Sequence, residues 1–186
     1  GLIFLFSLHL QEVKGFSAQY AGFILIVQPV IQACIAPFAG KLADKHPPAL
    51  IATAGMFLCT VGLAAAATVG TETSTPVIMV ILGVMGMGFG LFSSPNMVAI
   101  MGSVEPNFYG VAASVVATMR SLGMLVSMAI ITVIIGNVFG DQAISMENRG
   151  VFVIAMRISF VVFTCMGVVG ILFSLGKEWQ HFARKK

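Results

Sequence analysis

The sequence predicts an all-α integral membrane protein, a bundle of six transmembrane helices, and three observations predict it. Of its 186 residues, 58% are hydrophobic and only 9% charged, with a mean hydropathy of +1.00. A water-soluble domain carries about a quarter charged residues. The apolar residues fall in runs near the roughly 20 that cross about 30 Å of hydrocarbon as a helix. Twenty Gly stand against one Trp and two Tyr, which suits helices packed through small residues and not a barrel girdled by aromatics. This composition excludes a soluble enzyme and a disordered chain.

The first run, 1–10, opens inside apolar sequence with no initiator Met, basic flank or small-residue cleavage site, so the chain is expected to be truncated at its start. Complete runs follow at 18–38, 49–69, 77–104, 109–139 and 151–175, divided by short segments rich in Gly, Pro, Asn and charge. No polar linker or low-complexity tract interrupts them, and residues 1–186 are expected to form one unit. With the C-terminus in the cytoplasm, that side receives Lys41, Lys45, Lys177, Arg184, Lys185 and Lys186, and the other only Lys14 and Arg149. This is the asymmetry expected of a multi-pass protein of an inner or plasma membrane. The net charge of +3 is therefore read as topological; the basic residues form no stripe interleaved with aromatics, and nucleic acid is not an expected partner. Cys34, Cys59 and Cys165 lie inside apolar runs without CxxC or Cys/His spacing, so neither a disulfide nor a metal site is expected.

An enzyme would need a nucleophile beside a base, paired carboxylates or a metal cluster at membrane depth. The sequence offers none of these patterns and implies no cofactor. His9, near the end of the first run, either lines a cavity or sits at the membrane interface. Arg120 lies a dozen residues into its run, amid Ser114, Thr118 and Ser121. A charge in hydrocarbon costs at least about 2.5–3.5 kcal/mol, so Arg120 is either a functional group of a polar cavity or a structural one bonded to carbonyls of a neighbouring helix. Arg157, near the start of the last run, is expected to reach the headgroups with its long stem.

Gln28 and Gln32 share one helical face, and Pro29 frees the carbonyl near Leu25. Together they favour a polar cavity wall, with interhelical hydrogen bonding as the alternative. The run from 77 holds Gly83, Gly86, Gly88 and Gly90, then Ser93, Ser94, Pro95 and Asn96. Glycines 83, 86 and 90 form a smooth strip for close helix contact, Pro95 is expected to break the hydrogen-bond ladder, and Asn96 offers an amide near the break. A broken, amide-bearing segment is typical of a moving gate or solute site. Between the second and third helices, Gly40 permits a tight helix exit, Asp44 caps the next turn or pairs with another helix end, and Lys45 adds inside charge.

These residues resemble the C-terminal half of a major facilitator superfamily transporter, and specifically its fourteen-span drug:proton antiporter branch. Gly40-Lys41-Leu42-Ala43-Asp44-Lys45 is similar to the superfamily's cytoplasmic loop signature Gly-x-Leu-Ala-Asp-Arg, with Lys45 in place of the Arg and Pro47-Pro48 in place of the Gly and basic residues that follow. More specific is Gly86-x-Gly88-x-Gly90-Leu91-Phe92-x-x-Pro95-Asn96, with Val104, Gly110, Ala112 and Thr118-x-Arg120-x-x-Gly123 after it. The entrance from Leu10-Gln11 through Gly15-Phe16-Ser17-Ala18 to Ala21-Gly22 resembles the same branch.

The resemblance implies a rocker-switch carrier whose missing N-terminal half supplies the other wall of a central cavity. Helices one, two, four and five would face that cavity, placing His9, Gln28, Gln32, Asn96 and Arg120 as substrate-cavity residues. Gly40, Asp44, Lys45, Gly86, Gly90 and Pro95 would serve gating or the loop signature. The expected function is a secondary active exporter of amphipathic or cationic toxic compounds in exchange for protons, the proton coupling being implied by resemblance alone. A carrier of an organic anion or other metabolite is the alternative within transport, and a non-transporting membrane scaffold the alternative outside it.

Overall fold

The computed structural model describes residues 1–139 and 149–183, with side chains as far as Ser174. Every regular element among the described residues is helical. Helix α1, Leu2–Leu8, runs into a π turn at His9–Val13, and the chain leaves it through Gly15 at φ 70°, a left-handed conformation that glycine adopts without strain. Ser17 starts α2, Ala18–Leu25, by accepting the Tyr20 N–H at 3.3 Å. A single turn residue, Ile26, separates α2 from α3, Val27–Ala43; it lies one position past the carbonyl that Pro29 leaves without its helical donor. The two together make one apolar stretch of 26 residues. Then come α4, Pro48–Ala66, α5, Thr75–Met101, a 3₁₀ turn at Pro106–Phe108, α6, Tyr109–Phe139, and α7, Arg149–Ala183.

Five of these stretches are long and apolar enough to cross a membrane, and Leu2–Val13 is a shorter apolar helix. Their ends differ from the hydropathy runs because helical hydrogen bonding continues past the apolar residues: α3 carries on through Lys41 to Ala43 and α7 to Ala183. The backbone of His181 thus lies in α7. Asp141 and Glu147 of the segment after α6 lie outside the described residues.

Helix α5 is the centre of the bundle, packed extensively on α4 and on α3. Of its apolar window, 44% is buried, against 11% for α6. Helix α6 leans on α7 and touches α5 only marginally. The main core joins Leu5, Phe6 and Leu10 to Ile78 and Leu82 of α5 and to Phe152, Met156 and Phe160 of α7, with the Phe6 and Phe160 rings 5.3 Å apart between centroids and tilted by 37°. Helices α4 and α7 meet through small and polar residues: Gly167 faces Thr60, Gly170 faces Met56, and the Thr53 and Ser174 hydroxyls share a hydrogen bond at 2.6 Å.

Candidate functional site

The site expected from the sequence starts on the seam between α3 and α5. A Cβ on Gly86 would lie 2.5 Å from the Gln28 carbonyl oxygen and 3.1 Å from Ile31 Cβ, and one on Gly90 would lie 2.9 Å from Ile35 Cβ and 3.2 Å from the Gln32 carbonyl oxygen. The two backbones therefore touch, and the strip of Gly83, Gly86 and Gly90 is what lets them. Gly88 points to the other side of α5, where its Cβ would lie 2.8 Å from the Cys59 amide nitrogen of α4; across the same contact, a Cβ on Gly55 would lie 2.5 Å from the Phe92 amide. Sequence reasoning found the strip facing α3 and missed this second one. The small residues Gly55 and Cys59, one helical turn apart on α4, were the available signal.

Gln28 is buried with its Oε1 unpartnered, and Gln32, one turn further, is half-buried. At the other end of the seam a Cβ on Gly40 would lie 3.2 Å from Ser94 Oγ, so the loop signature begins against the turn that carries Pro95 and Asn96. Two expectations are corrected here. Gly40 lies inside α3, which ends at Ala43, so its lack of a side chain serves the close approach of Ser94 and not a tight helix exit. Pro95 does not give a broken segment: α5 runs as one helix from Thr75 to Met101 with Pro95 buried inside it, the proline lacking the backbone donor of the ladder. Asn96 beside it is half-buried.

Asp44 is the C-cap of α3 and is exposed, as is Lys45, while the N-cap of α4 is Pro47 without a side-chain hydrogen bond. Asp44 therefore does not cap the following helix. His9 is placed apart from the seam, at the start of the π turn and fully buried, with neither ring nitrogen hydrogen-bonded.

Arg120 is placed apart as well. It is exposed on α6, the twelfth residue of that helix, and makes no hydrogen bond or ion pair among the described residues. The carbonyl-bonded alternative is thus not the arrangement found. Arg157 is the arginine that takes it: Nε donates to the Val69 carbonyl at 3.0 Å and an Nη to that of Thr68 at 3.2 Å. Lys14 Nζ donates to the Thr71 carbonyl of the same loop at 2.6 Å. These two cations fasten the α4–α5 loop to the π turn and to α7. Sequence reasoning put Arg157 at the periphery but had no signal for the carbonyls that hold it, 88 and 89 residues away.

The seam, the loop signature against Ser94 and the long α6 are the features set against known proteins. The family model for the Major Facilitator Superfamily matches residues 1–180. The chain belongs to the Major Facilitator Superfamily. Among its superfamily relatives, the riboflavin transporter RibZ of Clostridioides difficile is 29% identical over 172 residues, covering 92% of this chain and 38% of that protein. The lincomycin resistance protein LmrB of Listeria monocytogenes is 23% identical over 179 residues, again 92% of this chain and 38% of that protein. The multidrug resistance protein Stp of Mycobacterium tuberculosis is 23% identical over 131 residues, 70% of this chain and 24% of that protein. The chain spans about a quarter to two-fifths of these superfamily proteins.

Proposed function

We propose that the chain is the C-terminal six-helix half of a secondary active exporter, moving amphipathic or cationic toxic compounds by alternating access. The observation that carries this reading is Arg120. Its guanidinium stands exposed and unpartnered in a helix whose flanking residues Val115, Met119, Leu122 and Leu125 are exposed as well. Lipid does not tolerate such a cation about 18 Å along a spanning helix at less than about 2.5–3.5 kcal/mol, whereas a water-filled cavity closed by a second half does. The half-buried Gln32 and Asn96 lie apart from it on the α3–α5 seam, and exposed Met and Phe residues such as Met119, Met124 and Phe89 offer an adaptable apolar surface. The resistance proteins of Listeria and Mycobacterium among the relatives support export of toxic compounds.

A metabolite carrier is the second reading, favoured by the relative named as a riboflavin transporter. Both readings place the C-terminus in the cytoplasm, from the distribution of Lys and Arg, and take protons as the coupling ion.

The test is efflux from cells expressing the protein from its whole reading frame, with ethidium, lincomycin and riboflavin as probes. Export of ethidium or lincomycin, abolished by Arg120→Leu at unchanged membrane insertion, is the expected result. Movement of riboflavin alone favours the second reading, and full ethidium export by Arg120→Leu removes Arg120 from the site.

A further inference from the structure

His9 is an anomaly of burial. It is 0% exposed, it lies among Leu5, Phe6, Leu10 and Val13, and neither Nδ1 nor Nε2 has a hydrogen-bond partner. A neutral imidazole presents one N–H donor and one acceptor nitrogen, and each left unmade in a core costs about 1–3 kcal/mol. A leucine or phenylalanine would fill the same space without that penalty.

The backbone at His9 is equally unusual. His9 opens the π turn, and the Lys14 N–H reaches back five residues to its carbonyl at 3.1 Å. A π turn holds one residue more than the α-helix it interrupts, and such insertions cluster at functional sites. Reverting to α-helical hydrogen bonding shifts the register by one residue, which turns α1 by about 100° relative to the segment that follows. That rotation carries His9 out of its present surroundings, and Gly15, in its left-handed conformation, sits at the end of the turn where the slack would be taken up.

The neighbouring charges are few. The turn itself carries Glu12 with Lys14 just after it, α2 contributes only the phenol of Tyr20, the α4–α5 loop that Lys14 fastens to the turn carries Glu72, and the end of α7 packed against the turn carries Arg149 and Arg157; no group among them bonds to the imidazole. Among the described residues of the apolar stretches, His9 is the one side chain whose ordinary titration falls between about pH 5 and 8.

We propose that His9 is a proton-binding site gated by the π turn, sealed from water in the state described and opened when the turn reverts to α-helix. It takes its proton from water in the open state and returns it to water, imidazole and imidazolium differing by that proton alone. The proposal deepens the transport reading and rests on it, since a sealed proton site is useful only to a protein that changes access.

The experiment uses the protein expressed from its whole reading frame, purified and reconstituted in liposomes, with ethidium as the transported probe. In the wild type the rate under an imposed pH difference should change close to tenfold per pH unit on one side of the His9 titration. His9→Gln, which keeps hydrogen-bonding capacity without titrating, should flatten that dependence to less than about twofold while ethidium–ethidium exchange persists. A wild-type pH profile in His9→Gln overturns the proposal, and so does His9→Phe with an unchanged profile and a higher melting temperature, the signature of a packing residue. A wild type that moves no ethidium counts against the transport reading and leaves His9 to a second readout, carbethoxylation by diethyl pyrocarbonate followed by mass spectrometry. Native protein should react at His9 more slowly than at the exposed His46 but to completion. A His9 that reacts only after denaturation overturns the gated site independently of transport.

Discussion

Gly86→Ala is the sharpest test of how the bundle is held together. The added methyl would lie 2.5 Å from the Gln28 carbonyl oxygen and 3.3 Å from its carbonyl carbon, with Ile31 Cβ at 3.1 Å. Carbon and carbonyl oxygen in contact are normally about 3.3–3.6 Å apart, so α3 and α5 would have to part by about 0.8 Å at this point. The obstacle is backbone, which no rotamer change can move. Overpacking of this kind costs about 1–3 kcal/mol, and the alanine returns about 1 kcal/mol in helix propensity, for a net loss of up to about 2 kcal/mol. Gly123→Ala on α6 is the matched control, since its Cβ meets nothing within 4 Å and the same propensity gain comes without a clash. Thermal unfolding in a mild detergent should lower the melting temperature of Gly86→Ala by several degrees, at about 2–4 °C per kcal/mol for a chain of this length, while Gly123→Ala holds or rises. Equal behaviour of the two variants would refute the backbone contact between α3 and α5.

Other outcomes follow from contacts elsewhere. Arg157→Ala removes two charge-assisted hydrogen bonds to the α4–α5 loop and should cost about 1–2 kcal/mol of stability in the same unfolding assay, discounted for the exposure of the side chain, while leaving the identity of the transported probes unchanged. Thr53→Val and Ser174→Ala should each destabilise, and their double-mutant cycle should return a coupling of about 0.6 kcal/mol, the usual worth of an interhelical hydrogen bond in a membrane protein. A fluorescent protein fused after Lys186 should light up in the cytoplasm, and an alkaline phosphatase fused there should stay inactive, if the Lys and Arg distribution sets the topology.

The all-helical membrane class was legible because hydrophobic length is a one-dimensional property: about 20 apolar residues make a span whatever they pack against. The glycine strip facing α3 was legible for a similar reason, since positions 83, 86 and 90 fall on one helical face whatever the partner. Helix ends were less so, because hydrogen bonding carries α3 past the charged Lys41. The π turn left no trace in hydropathy; its register depends on backbone bonds that no pattern of apolar residues encodes. Pro95 shows the opposite failure, a local rule that overstates its effect, since α5 remains one continuous helix through a missing donor. The distance between Arg120 and the Gln28–Gln32 seam could not be read either, because it depends on how loosely α6 is held, and that is a matter of tertiary contact.

The two cations that fasten the α4–α5 loop have a consequence for how this protein can vary. Lys14 and Arg157 grip only main-chain oxygens, those of Thr68, Val69 and Thr71. Every residue supplies a backbone carbonyl, so the side chains along that loop can change while the acceptors of the fastening persist. The tolerance is one-sided: a changed side chain at Thr68 or Thr71 leaves the acceptor in place, whereas a shorter or uncharged residue at 14 or 157 removes the donor.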